Sequence, residues 1–351
     1  MANQGSQIKN FRLLLGITQS EFAKELDVSQ PYLSAIERGI RLPSEQLLST
    51  ITFRYRIQPS FFKEKIHYYQ NNELQYRITR NSVTHITQIT TAFSITEHYL
   101  CKKFTRAESD LPLFRTLTHA PLARPVIEKL AAHCRDYFCV PSKAPIKNIT
   151  KLLNDHNVLV TTLPIRINDD SIFDGVSSPT MDHNTAVIAL NRNRSGDRYR
   201  FSAAHELAHL LLHRGSGRND GMKMEEEANV FAGAFLMPPE LIEAHITPDL
   251  TLMGYIELKN QWGYSIQAII RRAYEVGVID HDRYRSLRMQ VAGRGWRINE
   301  PGNVLLENLW VQPPAIFIEL MNEPDDDASI ASISTLSPRN RNKEAYSGVF
   351  K

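Results

Sequence analysis

His205-Glu206-Leu207-Ala208-His209, within the run RYRFSAAHELAHLLLH, offers the clearest chemistry in this 351-residue chain. Two histidines four apart share one face of a helix, so their ring nitrogens can converge on a single ion. Zinc takes imidazole nitrogens at about 2.0–2.1 Å, and a glutamate beside the first histidine can act on water bound to the metal. Leu207, Ala208, Leu210, Leu211 and Leu212 favour a helix here and give it an apolar face. A catalytic zinc keeps one position open for water, so a third protein ligand is needed.

The elements downstream supply candidates. Arg214-Gly215-Ser216-Gly217 reads as a break, and residues 225–235 read as a second helix that Pro238 and Pro239 stop. Glu225, Glu226 and Glu227 then fall in its first turn, where the macrodipole favours acids. Glu225 can be the third ligand, with Asn229 one turn on and placed to hold a ligand from behind. His213 is a rival, as is a neighbouring glutamate. Positions 205 and 213, however, are about 12 Å apart along an unbroken helix at 1.5 Å per residue, so they share an ion only if the helix breaks. Otherwise His213 is a helix-terminal residue near the site. The plain alternative for the acidic triplet is a solvated helix start.

RYRFSAAHELAHLLLH followed by EEEANVFAGAFLMP resembles the ImmA/IrrE family of zinc-dependent endopeptidases. The similarity extends upstream through Phe173-Asp174-Gly175-Val176-Ser177 and the strand-like Ala186-Val187-Ile188-Ala189-Leu190-Asn191, and covers residues 126–300. The resemblance implies that His205, His209 and Glu225, the first glutamate of E-x-x-A-N, bind Zn(2+). It implies that Glu206 is the catalytic general base. It does not identify the residue that polarises the scissile carbonyl.

Near the N-terminus, residues 8–62 carry apolar positions at helical spacing. Thr18 and Glu21 read as a capping box, with Phe22, Ala23 and Leu26 as a buried stripe. Asp27-Val28 reads as a turn, Ser29 as the cap of a helix over 30–38 with Pro31 in its first turn, and Gly39 as its close. Two short helices joined by a tight turn are the helix-turn-helix plan. The run resembles the XRE (Cro/C1-type repressor) family, including Ser34-Ala35-Ile36-Glu37-Arg38-Gly39 and Pro43. The resemblance implies DNA contacts from Gln19, Gln30, Tyr32, Arg38 and Arg41: Gln19 on phosphate, Gln30 on adenine, and the two arginines on the backbone. Pro31 stands where many relatives carry a polar base-reading residue, so the operator cannot be read. Residues 1–60 hold seven Lys/Arg against five Asp/Glu, a weak basic excess, and a module that pairs only with protein is the alternative.

Composition agrees with a soluble protein of two or three domains. Hydrophobic residues make up 42% of the chain and the net charge is +3. No apolar run approaches a membrane span, and Met1-Ala2-Asn3-Gln4 lacks a signal-peptide pattern. Cys101, Cys134 and Cys139 lack metal-type spacing and suggest free thiols in a reducing compartment, with Cys134 and Cys139 buried. The expected fold is α+β and mainly helical, an N-terminal helix-turn-helix followed by a zincin-like metallopeptidase domain with a small sheet. The expected boundaries are 1–62 for the DNA-binding domain, 63–125 for a helical linker or docking region, and 126–245 for the peptidase core. A helical, helix-turn-helix-like extension over 246–300 and an acidic tail over 301–351 follow.

The expected function is a cytoplasmic DNA-binding transcriptional regulator whose zinc endopeptidase cleaves a regulatory protein. The alternative is a regulator whose zinc domain senses or stabilises without catalysis. The implied partners are operator DNA and a protein substrate of the XRE repressor type, or the chain itself, with a homodimer as an option and no membrane. The substrate strand is expected along residues 185–191, taken as the edge of the small sheet.

Overall fold

Local signals set the first four helices. In the computed structural model α1 (Gln4–Leu15) precedes α2 (Gln19–Glu25), whose Thr18 and Glu21 form the reciprocal capping box. The Ser29 hydroxyl caps α3 (Gln30–Glu37) and the Ser44 hydroxyl caps α4 (Glu45–Tyr55). The turns on either side of α3 need left-handed backbone: Asp27 has φ 53° and Gly39 φ 73°. A 3-10 turn, Pro59–Lys63, follows. The structure describes residues 4–70, 74, 83–103, 121–163, 173–178, 186–191, 194–213, 221–297 and 299–302. The expected break at Arg214-Gly215-Ser216-Gly217, most of the 301–351 tail and much of 63–125 lie outside them.

The rest of the chain is a long helix, a small sheet and a helical layer. α5 (Val83–Lys103) lies against α1. α6 (Arg124–Tyr137) and α7 (Ile149–Asp155) lead into β1 (Val158–Thr162), then β2 (Gly175–Ser177) and β3 (Ala186–Leu190). α8 (Gly196–Ala208) carries His205 and Glu206 and passes at the second histidine into a wider π turn, His209–His213. α9 (Gly221–Leu236) packs on α8 and α6, followed by α10 (Pro239–His245), α11 (Leu252–Trp262), α12 (Ile266–Val276) and α13 (His281–Gly293). Gly263, at φ 77°, makes the tight α11–α12 turn, and a side chain there would meet the Arg200 guanidinium. The fold is mainly helical with a three-stranded sheet, a helix-turn-helix leading and the histidine-bearing unit behind.

Three expectations are corrected. The sheet order is β1-β3-β2, with β3 parallel to β1 and antiparallel to β2. β3 is therefore the central strand and cannot accept a substrate strand; the edges among the described residues are β1 and β2. Cys139 is exposed at φ 53° in the turn after α6, whereas Cys134 is buried and its thiol is pushed up by burial. α9 begins a turn earlier than expected, so Glu225, Glu226 and Glu227 sit past its first turn and the macrodipole argument for them fails.

Both faces of the sheet are covered. Val158, Val160, Ala186, Ile188 and Leu190 join the core formed by the helices of the second half. Leu159, Val176, Val187 and Ala189 join a second core with Phe93 and Leu100 of α5 and with Ile8, Phe11, Phe22 and Leu33. Strands buried on two faces read as unbroken apolar runs, which accounts for Ala-Val-Ile-Ala-Leu in β3.

Candidate metal centre

His205 and His209 lie one turn apart on the end of α8, and Glu225 faces them from α9. His205 Nε2 and His209 Nε2 are 3.1 Å apart. The Glu225 carboxylate is 3.2 Å from each, Oε2 to His205 and Oε1 to His209. In a tetrahedral site with bonds of about 2.0 Å, neighbouring ligand atoms stand about 3.3 Å apart, so the donor set already has the spacing zinc requires. Glu225 Oε1 is buried without a hydrogen-bond partner, its contact with His209 being misaligned for one. Two imidazole nitrogens and two carboxylate oxygens crowded in this way call for a cation between them, and the residues fit zinc. Burial pushes the Glu225 carboxyl up, but the contacts and charges of His205 and His209 outweigh it and hold it well below the ordinary carboxylate value.

His205 is held from behind. His205 Nδ1 is 3.2 Å from Asn229 Oδ1, one turn beyond Glu225. His213 does not join the cluster. The π turn sets its ring beside that of His209, with centroids 4.9 Å apart, and its Nε2 reaches Glu227. Among the described residues, His205, His209 and Glu225 are the group able to share an ion.

Glu206 is buried and receives a hydrogen bond from Ser177 Oγ at 2.8 Å. Gly175, two residues earlier on β2, leaves room for it: a Cβ there would lie 2.8 Å from both Cγ and Oε1 of Glu206. Asp174 anchors the strand to the start of α8 through Arg194 (2.7 Å) and Arg198 (2.8 Å). Spacing within the helix could not show Ser177 or Gly175 as partners of Glu206, because the sheet brings them there from some thirty residues away. Their one signal was the Phe173-Asp174-Gly175-Val176-Ser177 run, noted only as part of a resemblance.

In the N-terminal unit, Gln30 and Arg38 are exposed at the two ends of α3. Gln19 donates to Glu37 Oε2 at 2.9 Å and accepts from Gln30 Nε2 at 2.5 Å. The Arg41 guanidinium lies 4.6 Å from the centre of the Tyr32 ring. Gln19 of α2 thus meets both ends of α3, and Arg41 lies over Tyr32 of α3.

Comparison with known proteins agrees with these two units. Residues 8–55 match the helix-turn-helix family model, and residues 153–274 match the peptidase M78 model, described as the IrrE N-terminal-like domain. The chain thus joins a unit similar to helix-turn-helix domains of XRE type to one similar to IrrE-like M78 domains. Over 44 residues it is 50% identical to the uncharacterized HTH-type transcriptional regulator YazB of Bacillus subtilis (strain 168). That alignment takes in 12% of this chain and spans 64% of the relative's length. No helix among the described residues is long and apolar enough to cross a membrane.

Proposed function

We propose that the chain is a DNA-binding transcriptional regulator carrying a zinc-dependent endopeptidase. The observation that carries the reading is the convergence of His205, His209 and Glu225, with a buried glutamate, Glu206, next in sequence to a ligand. A purely structural site has no use for that glutamate. Zinc held by the three residues would supply a Lewis acid that brings the pKa of water towards about 7. Glu206 takes the proton of the attacking water and delivers it to the leaving amide nitrogen. Ser177 orients the Glu206 carboxylate, and Gly175 gives it room. An extended substrate pairing by strand addition would use β2, the edge beside Glu206. A loop or unfolded segment of a protein, such as a repressor or the chain itself, suits that edge better than a folded core. Gln19, Gln30, Tyr32, Arg38 and Arg41 serve operator binding, for which a dimer would present two α3 helices to two half-sites.

The test is incubation of the full chain with XRE-type repressors, and alone, followed by fragment analysis. Discrete fragments are expected, abolished by chelator and by Glu206→Gln, with Glu206→Gln retaining zinc. Cleavage at the wild-type rate in Glu206→Gln would remove Glu206 from the chemistry. Bound zinc without cleavage of any candidate would leave a sensing or structural role for the domain.

A further inference from the structure

Behind the metal ligands lies a second chain of buried groups that the reaction above does not use. Glu227 and His213 are both about 95% or more buried. The Glu227 carboxylate is held at both oxygens: Oε1 accepts the backbone N–H of Leu122 at 2.9 Å, and Oε2 lies 2.9 Å from His213 Nε2. His213 Nδ1 in turn lies 2.9 Å from His209 Nδ1. His209 Nε2 is the atom that faces Glu225 and His205.

We propose that Glu227 and His213 are positioning residues that dictate the tautomer of His209 and so aim its Nε2 lone pair at the metal. The inference rests on the reading of His205, His209 and Glu225 as ligands. Its logic is that each short contact needs one hydrogen, and a carboxylate has none to give. His213 Nε2 must therefore carry a hydrogen and donate it to Glu227. With His209 binding metal through Nε2, the His213 Nδ1 facing it accepts, so His213 is the neutral imidazole whose single N–H is on Nε2. The hydrogen between the two Nδ1 atoms must then belong to His209, which leaves its Nε2 bare. Carboxylates that fix ligand histidines in this way are common around zinc; here the carboxylate acts through an intervening imidazole. The π turn makes the arrangement local, because the widened backbone at His209–His213 sets one ring beside the other. His205 receives the same instruction separately from Asn229 Oδ1.

Glu227→Gln tests this with almost no change of shape. Leu122 N–H still requires an oxygen, so the new NH2 group must face His213 Nε2. Every hydrogen along the chain then reverses, and His209 carries its proton on Nε2. Zinc affinity, measured by competition with a chromophoric chelator, should fall about 10–100-fold. In the metal-free protein, nitrogen-15 NMR should show His209 changing from the Nδ1–H to the Nε2–H form. Glu226→Gln, an exposed neighbour, should match wild type. Unchanged zinc affinity and tautomer in Glu227→Gln would overturn the proposal. Should Glu227→Gln not fold, His213 decides: His213→Asn puts a carbonyl oxygen near the position of Nδ1 and should bind zinc more tightly than His213→Leu, and equal affinities would overturn it. His209→Ala separates the two levels. If it too keeps full zinc affinity, the ligand assignment has failed; if it alone loses zinc, only the relay has.

Discussion

At the scale of single residues, the candidate site depends on side chains outside the His205, His209 and Glu225 group. Glu206 occupies a narrow slot between α8 and β2, with the Ser177 hydroxyl on one carboxylate oxygen and the bare Cα of Gly175 beside the other. Gly175→Ala would drive a methyl group to 2.8 Å from Glu206, closer than such carbons approach in folded proteins. The adjoining elements are packed on both faces, so Glu206 must swing away. Peptidase activity should fall at least tenfold in Gly175→Ala while bound zinc stays at the wild-type level, because no ligand is displaced. Loss of zinc in step with activity would show that the substitution damages the metal site itself.

At the scale of elements, α2 and α3 are held in register by a buried charge. Glu37, at the end of α3, accepts from Arg12 Nε at 2.7 Å and Nη2 at 2.9 Å, and from Gln19 Nε2 at 2.9 Å. Because Gln19 also holds Gln30, a buried carboxylate sets the pose of two residues proposed to touch DNA. Glu37→Ala would leave the largely buried Arg12 guanidinium unpaired, a change that costs about 3–5 kcal/mol in buried pairs. Denaturant unfolding of the full chain should show that loss, and selection from random oligonucleotides should show weakened base preference. A stability change below about 1 kcal/mol would mean that water reaches Arg12 and replaces the carboxylate.

At the scale of the molecule, the two units are joined by packing as well as by sequence. α5 lies between them, and its buried Glu97 accepts from Tyr69 Oη at 2.6 Å and from Ser178 Oγ at 2.5 Å, just past β2. Phe93 of α5 is fully buried in the core shared by the helix-turn-helix and the outer face of the sheet. Phe93→Ala should cost about 3–5 kcal/mol, as large-to-small changes at buried aromatics do. Amide exchange should rise both in α1 and along β3. Faster exchange confined to one side would show that the units fold independently.

How much of this was legible in the chain follows from the range of the forces involved. Caps and turns act over three or four residues, so Thr18, Glu21, Ser29 and Gly39 marked the helix-turn-helix directly, and the four-residue spacing of His205 and His209 placed them on one helical face. Glu225 could be proposed as a partner because only a short segment separates it from them. Strand order carries no such signature. β3 is as apolar as a central strand must be, but a buried edge strand reads alike, and only the β1-β3-β2 pairing decided that β2 lies beside Glu206. His213 lies too far along a regular helix to share an ion with His205, and its place beside the His209 ring depends on a π turn, which no residue spacing announces. Partners contributed by distant segments, such as Ser177 to Glu206, Glu227 to His213 and Ser178 to Glu97, exist only once the sheet and helices have packed. Local hydrogen bonding wrote the elements into the sequence; their meeting was decided by burial, which acts without regard to distance along the chain.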